Sequence, residues 1–253
     1  MFGRVGGLFN YLRVFPSLRD IRAFRGVAYR GGNESVVVRT RATGNVELHI
    51  RPHTSDAAVL WDTFHEQFHL PPIALPSNAV VVDLGANVGY TAVHFAKRYA
   101  GATVVAVEMD GGNCQAARRH VEQVNGCRLM HAAVWSSDGS VGYDANAEAW
   151  GFHVDSQPAG NSVVVAAKTM TTILAENRLD KVDYVKMDIE GAEWPVLSSG
   201  AEWLPKVRSL KIELHPKFNK DATYENCAAV LGKYGFGCRR DDRHWDTLIA
   251  VRA

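Results

Sequence analysis

The chain has 253 residues, 47% of them hydrophobic, with 28 Lys+Arg against 27 Asp+Glu. The near-zero net charge excludes the global basic field of a nucleic-acid binder, and Cys114, Cys127, Cys227 and Cys238 form no C-x-x-C pair for structural zinc or a disulfide framework. No apolar run approaches the roughly 20 residues that span a bilayer, and the N-terminus lacks the features of a secretory leader, so a reducing cytoplasm is the expected compartment.

Residues 1–32 carry six Arg and one acid, Asp20, a net charge of +5. Leu8, Leu12 and Phe15 share one helical face, Leu18, Ile21 and Phe24 nearly share another, and Pro16 separates the two segments. Two readings stay open. One is a helical arm packed on its own domain or on a second subunit as a homodimer. The other is a surface helix on anionic lipid, peripheral to a membrane. Strands at 35–40 and 46–50 read as a hairpin across 42–45. Thr54, Ser55 and Asp56 compete to cap a helix running to about Phe68, and Pro71, Pro72 and Pro76 form a linker. Residues 1–75 are therefore expected as an N-terminal arm, hairpin and helix, ahead of a ligand-binding domain over 76–253.

From Ala79 apolar runs of strand length alternate with helical segments. Strands are expected at 79–84, 103–107, 128–134, 183–187 and 207–214. Helices are expected at 90–99, at 112–124, from about 192, and at 224–234. Strands at 236–239 and 247–251 lie too close for a crossover helix and should pair antiparallel. This is the pattern of an α/β sandwich, a mostly parallel sheet covered on both faces. Residues 139–167 interrupt it as a β insertion, with short strands at 141–143, 151–154 and 162–167. Trp150, Phe152 and His153 within it fit an acceptor wall or a local core.

The stretch VVVDLGANVGYTAVHFA is the most informative. A buried strand ends in Asp83, Gly85 and Gly89 bracket a tight turn, and a helix follows at once. Asn87 stands mid-loop and tolerates the left-handed conformation. The G-x-x-x-G spacing misses the dinucleotide fingerprint. Glu108 ends the next strand, 23 positions after Gly85, placed to accept from ribose hydroxyls. Asp83 would repel a pyrophosphate but suits an ammonium group. A nucleoside joined to an amino acid has both features, and S-adenosylmethionine is that molecule.

With DLGANVGYTAVHFA, VVAVEMD, HAAVWSSDG, VKMDIEGAEWPVL and LKIELH in hand, the sequence from about Asp62 onward resembles the FkbM family of class I S-adenosylmethionine-dependent methyltransferases. The resemblance implies a Rossmann-like methyltransferase fold with a seven-stranded sheet and an antiparallel final strand. It implies that Asp83, Gly85, Asn87 and Gly89 hold the methionine part of the cofactor. Glu108 would bind the ribose, Met109 would lie on an adenine face, and the turn at Ala132-Ala133 would flank the adenine edge. Met109 stands where proline is usual in the family, and His120 where asparagine is frequent.

Three acids, Asp188, Glu190 and Glu193, follow the strand at 183–187. Asp188 ends that strand at the carboxyl edge, where open α/β sheets bind ligands, and should face both cofactor and acceptor. Glu190 and Glu193 also fit first-turn acids that stabilise a helix start. In LKIELHP, Glu213 and His215 point the same way. Two routes fit Asp188, Glu213 and His215. In the first, His215 is a general base oriented by Glu213, with Asp188 positioning the acceptor. In the second, the three residues bind a divalent cation that activates a hydroxyl. His94 and His120 read as packing or surface residues, while His65, His69, His153 and His244 are weaker candidates for the acceptor pocket. The expectation is methyl transfer to a hydroxyl of a small molecule, a sugar or natural-product scaffold, with N-methylation or a noncatalytic cofactor-binding module as alternatives.

Overall fold

The structure is a computed structural model that describes residues 7–143, 154–155 and 163–252. It opens with helices α1 (Leu8–Val14) and α2 (Leu18–Arg30). Ser17 caps α2 by accepting from the Asp20 amide, and Gly31 ends the helix in the left-handed conformation. The inner faces of both helices enter the main core. Tyr11 and Phe24 pack on Trp61, at 5.3 and 6.0 Å between ring centroids, and Phe15 lies 5.1 Å from Phe24. On these faces the arm packs against its own domain.

Strands β1 (Val36–Val38) and β2 (Leu48–Ile50) pair antiparallel, so the hairpin forms with a longer connection than 42–45. Helix α3 (Asp56–Trp61) continues as one π turn (Asp62–Glu66) and stops at Gln67, whose φ of 58° breaks the helix short of Phe68.

The central sheet comprises β3 (Val80–Leu84), β4 (Thr103–Glu108), β5 (Cys127–His131), then β10 (Tyr184–Met187), β11 (Ser209–Glu213), β12 (Phe236–Arg240) and β13 (Thr247–Arg252). Its spatial order is β12-β13-β11-β10-β3-β4-β5. Every pairing is parallel except those of β13, which runs antiparallel to β11 and β12. Helices α4 (Tyr90–Arg98) and α5 (Gly111–Val121) flank the sheet with the N-terminal elements. The other face carries α6 (Met170–Glu176), α7 (Glu193–Ser198) and α8 (Tyr224–Lys233). Val81 and Val104 face the first core, while Val82, Leu84, Val105 and Val107 face the second. This two-sided burial explains the near-continuous apolar runs.

The run at 128–134 is not one strand. The chain turns at Ala132, whose amide donates to Glu108 O, and Ala133–Val134 (β6) leaves the central sheet to pair with β9 (Val163–Lys168). With β7 (Gly139–Tyr143) and β8 (Val154–Asp155) these form a four-stranded sheet, order β6-β9-β7-β8. Trp150, Phe152 and His153 lie outside the described residues. Helix α6 is an element the periodicity missed: Thr169 caps it by accepting from the Thr172 amide, and Met170, Ile173 and Leu174 form its buried stripe. No helix among the described residues is long and apolar enough to cross a membrane.

Candidate active site

A cavity of about 310 Å³ opens at the carboxyl ends of β3, β4, β10 and β11. Gly85, Asn87, Glu108, Met109, Ala133, Asp188 and Glu213, all expected at the site, line it. The loop after β3 puts Gly85, Asn87 and Gly89 at φ of 73°, 51° and 80°. A Cβ on Gly85 would sit 1.8 Å from the Asp188 carbonyl oxygen, so this glycine lets the loop press against the end of β10. Gly89 does not line the cavity. It starts α4, and a Cβ there would meet Ala117 of α5 at 3.1 Å, so this glycine lets the two helices pack closely.

All five loop amides are committed within the protein. Those of Gly85 and Ala86 donate to Val107 O, that of Asn87 to Glu108 Oε2, that of Val88 to Asn87 Oδ1 and that of Gly89 to Ala86 O. These five amides are therefore not available to cradle a phosphate, which counts against the dinucleotide reading. Glu108 also accepts from the Asp110 amide at 2.8 Å. Burial pushes its pKa up to about 7, against the pull of these two amides. Each oxygen keeps acceptor capacity toward the cavity.

Asp83 is fully buried and absent from the cavity wall. Its side chain points to the α4 side of the sheet, where Thr91 donates to Oδ2, while Oδ1 has no hydrogen bond among the described residues. Between Asp83 and the cavity stands Lys186, its register partner on β10. The Lys186 Nζ lies 3.6 Å from Asp83 and 3.3 Å from Asp188, and donates to Gly85 O at 2.8 Å. Burial would lower the Lys186 pKa, but Asp188 and Asp83 outweigh it and raise it. Asp83, expected at the cofactor, thus adjoins the cavity only through Lys186 and Thr91, both of which line it. Lys186 was not foreseen. The signal was present: VKMD and LKIE end neighbouring strands with the same Lys-x-acid pattern, and Lys211 pairs in register with Lys186.

The acids that follow β10 are arranged around His215. Its Nδ1 hydrogen-bonds Glu193 Oε1 at 2.9 Å. Glu193, fully buried, also accepts from the Ile189 and Gly191 amides. The Nε2 faces Glu190, Asp188 and Glu213 at 3.4, 3.7 and 3.8 Å. This corrects two expectations. The residue that orients His215 is Glu193, which does more than begin a helix, and Glu213 stands on the opposite side of the ring. His215 itself sits behind the cavity wall, whereas Asp188, Glu190 and Glu213 form it.

Burial would lower the His215 pKa, but the Glu193 hydrogen bond and charge, with Asp188 and Glu190, raise it to about 9. It therefore keeps its proton to higher pH than the acids around it and lies behind the cavity wall, which makes it a poorer base than they are. Burial, with Asp188, lifts Glu213 to about 8. Burial also lifts Glu190 to about 7, against the pull of His215. Glu190 has a φ of 50°, and a Cβ on the following Gly191 would lie 2.7 Å from Phe218 Cβ, so backbone strain is held where the acids converge. One oxygen each from Asp188 and Glu213 and a His215 nitrogen lie within 4.8 Å of one another, close enough to surround a cation.

The remaining histidines separate cleanly. His94 and His120 are buried and hydrogen-bonded within the fold, each pushed down to about 4 by burial. His65 stacks on Trp61, and buried His69 contacts His94 at 2.9 Å. His69 and His244 line the cavity, and His244 Nε2 reaches Glu213 at 4.0 Å.

These residues fit S-adenosylmethionine. Glu108 stands beside apolar Met109 and Ala133 at one end, and the acids stand at the other, about 10 Å away across β3. No curated protein matches the sequence significantly. The structure of methyltransferase FkbM from Methylobacillus flagellatus KT is similar at 16% identity and a TM-score of 0.50, over 92% of this chain and 59% of that one. The chain thus spans less than two thirds of that relative. Fibrillarin from Aeropyrum pernix, solved with natively bound S-adenosyl-L-methionine, aligns at 13% identity and a TM-score of 0.41, over 70% of this chain and 68% of that one. A family model described as the methyltransferase FkbM domain matches residues 83–243, a span that holds the glycine loop, Glu108, Lys186 and the whole acid cluster. The chain therefore belongs to the FkbM family of S-adenosylmethionine-dependent methyltransferases.

Proposed function

We propose that the protein methylates a hydroxyl of a small polyhydroxylated acceptor, a sugar or natural-product scaffold. The observation that carries this reading is the cavity wall made by Asp188, Glu190 and Glu213, two of whose pKa values lie within about a unit of neutrality. An alkyl hydroxyl must shed a proton as its oxygen is methylated, and a carboxylate tuned toward neutrality is suited to take it. When bound, S-adenosylmethionine supplies an electrophilic methyl group on a sulfonium.

The chain's own residues do the rest. Glu108 would accept from the ribose hydroxyls, Met109 and Ala133 would flank the base, and Gly85 and Asn87 would shape the methionine end. Asp188 is held by Lys186 and faces the reacting centre. Glu213, in its ionised form, would take the proton of the acceptor hydroxyl as that oxygen gains the methyl group and the bond from methyl to sulfur breaks. Glu193 fixes His215, whose charge favours ionisation of the acids that face its other nitrogen. His215 is in this reading a positioning residue.

Incubation with S-adenosylmethionine and a panel of hydroxylated and amino-bearing acceptors, read by mass and by NMR of the new methyl, tests the proposal. Methyl on oxygen supports it. Methyl on nitrogen replaces it with N-methylation, and cofactor binding without turnover on any acceptor points to a binding module. The cation route is separated by chelation. Lys186 already places a positive charge 3.3 Å from Asp188, so turnover is expected to survive EDTA and dialysis unchanged. Loss restored by a divalent metal would instead place an ion among Asp188, Glu213 and His215.

A further inference from the structure

The N-terminal helices have two faces, and the core uses only one. On α1, Tyr11 and Val14 are buried, while Leu8, Phe9 and Leu12 are 57, 66 and 38% exposed. On α2, Ile21 and Phe24 are buried, and Leu18 is 55% exposed. Arg19, Arg22, Arg25 and Arg30 are exposed on the same helix. The single acid of residues 7–32, Asp20, is buried and engaged by Ser17 and the Arg39 amide, so it does not offset this surface. Guanidinium groups border the apolar residues: Arg13 lies over the Phe9 ring at 4.6 Å, and Arg41 donates to Leu12 O at 2.8 Å. Residues 1–32 carry +5 and residues 33–253 carry −4, so charge is segregated along the chain rather than mixed.

We infer that the outer face of residues 8–30 docks on an anionic lipid surface. Isolated exposed leucines are ordinary, but four large apolar side chains among arginines, with no exposed acid in the segment, match an interfacial helix pair. An anionic bilayer offers apolar depth for Leu8, Phe9, Leu12 and Leu18 and negative headgroups for the arginines at the same level. A second copy docking the same face on itself would bring two sets of arginines together, which charge opposes. The inner faces already packed on Trp61 mean that the helices need not fold on arrival.

The test is co-sedimentation of the full chain with vesicles of phosphatidylcholine alone or with about a third phosphatidylglycerol. Binding is expected to the anionic vesicles only, and to be lost near 1 M salt, where screening is within about 3 Å. Arg19→Glu with Arg22→Glu should weaken it at least about tenfold. Phe9→Ser with Leu12→Ser should also weaken binding to the anionic vesicles relative to wild type, by removing the apolar anchor while leaving the arginines in place. All four side chains are exposed, so melting temperature should not move in either double variant. Equal binding to both vesicle types, or wild-type binding by both double variants, overturns the inference. So does a dimer seen by light scattering that Phe9→Ser with Leu12→Ser dissolves without any vesicle binding.

Discussion

Replacing Glu213 with Gln is expected to lower kcat/KM about 10²- to 10³-fold, the scale of losing a positioned proton acceptor. Gln keeps the shape of a side chain that lines the cavity but cannot take the proton. The dependence on pH gives the sharper signature. Burial and the neighbouring Asp188 hold Glu213 at about 8, so its basic form grows in as pH rises through that value. Wild-type kcat/KM should therefore climb from about pH 7 to about 9, the range over which Glu190, Glu213 and His215 titrate as one cluster. The variant should lose the component centred near 8. Stability moves the other way. The folded-state pKa lies above the ordinary 4.5, so the folded state binds this proton more tightly than the unfolded chain, and stability is lost as pH rises from 4.5 to about 8. Glu213→Gln should thus melt no lower than wild type at pH 9. A variant with a wild-type rate and an unchanged pH profile would remove Glu213 from the chemistry.

Gly85→Ala is expected to cost about 2–6 kcal/mol, from left-handed strain of about 1–3 and overpacking of about 1–3. The clash is with backbone: at φ of 73° the new Cβ would fall 1.8 Å from Asp188 O, and no side chain can turn away to relieve it. The loop must shift from the end of β10, which carries Lys186 and Asp188. Melting temperature and S-adenosylmethionine affinity should fall together. Gly232→Ala is the matched control, because nothing lies within 4 Å of its Cβ and it sits in α8. That change should be neutral or stabilise by up to about 1 kcal/mol. Unfolding by denaturant with calorimetric titration of the cofactor reads both, and wild-type behaviour of Gly85→Ala would deny the loop its close approach.

The sheet was legible in the sequence because its strands are buried on two faces and read as continuous apolar runs between helices. The antiparallel final pair followed from a connection too short for a helix. The break at Ala132 was hidden, because an apolar run looks the same whether it stays in one sheet or passes to another. Helix α6 was missed because its buried stripe is only three residues long. In the site, Asp188 and Glu108 were legible as strand-end acids. The exchange of roles between Glu193 and Glu213 was not. Alternation placed Glu213 and His215 on one side of a strand, but the chain leaves β11 at Glu213, and the ring of His215 then turns toward α7. Lys186 escaped notice because a lysine between acids resembles a solvated charge until register sets it beside Asp83.

His120 has a consequence for motion. Its Nδ1 donates to Val88 O and its Nε2 accepts from the His49 amide, while the Tyr90 hydroxyl donates to His49 O. Strand β2 is thus tied through α4 and α5 to the glycine loop. Amide exchange should show the hairpin and that loop opening as one cooperative unit rather than as a fraying edge and a rigid core. With burial holding the imidazole pKa near 4, the tie stays neutral until strong acid, where both segments should release together.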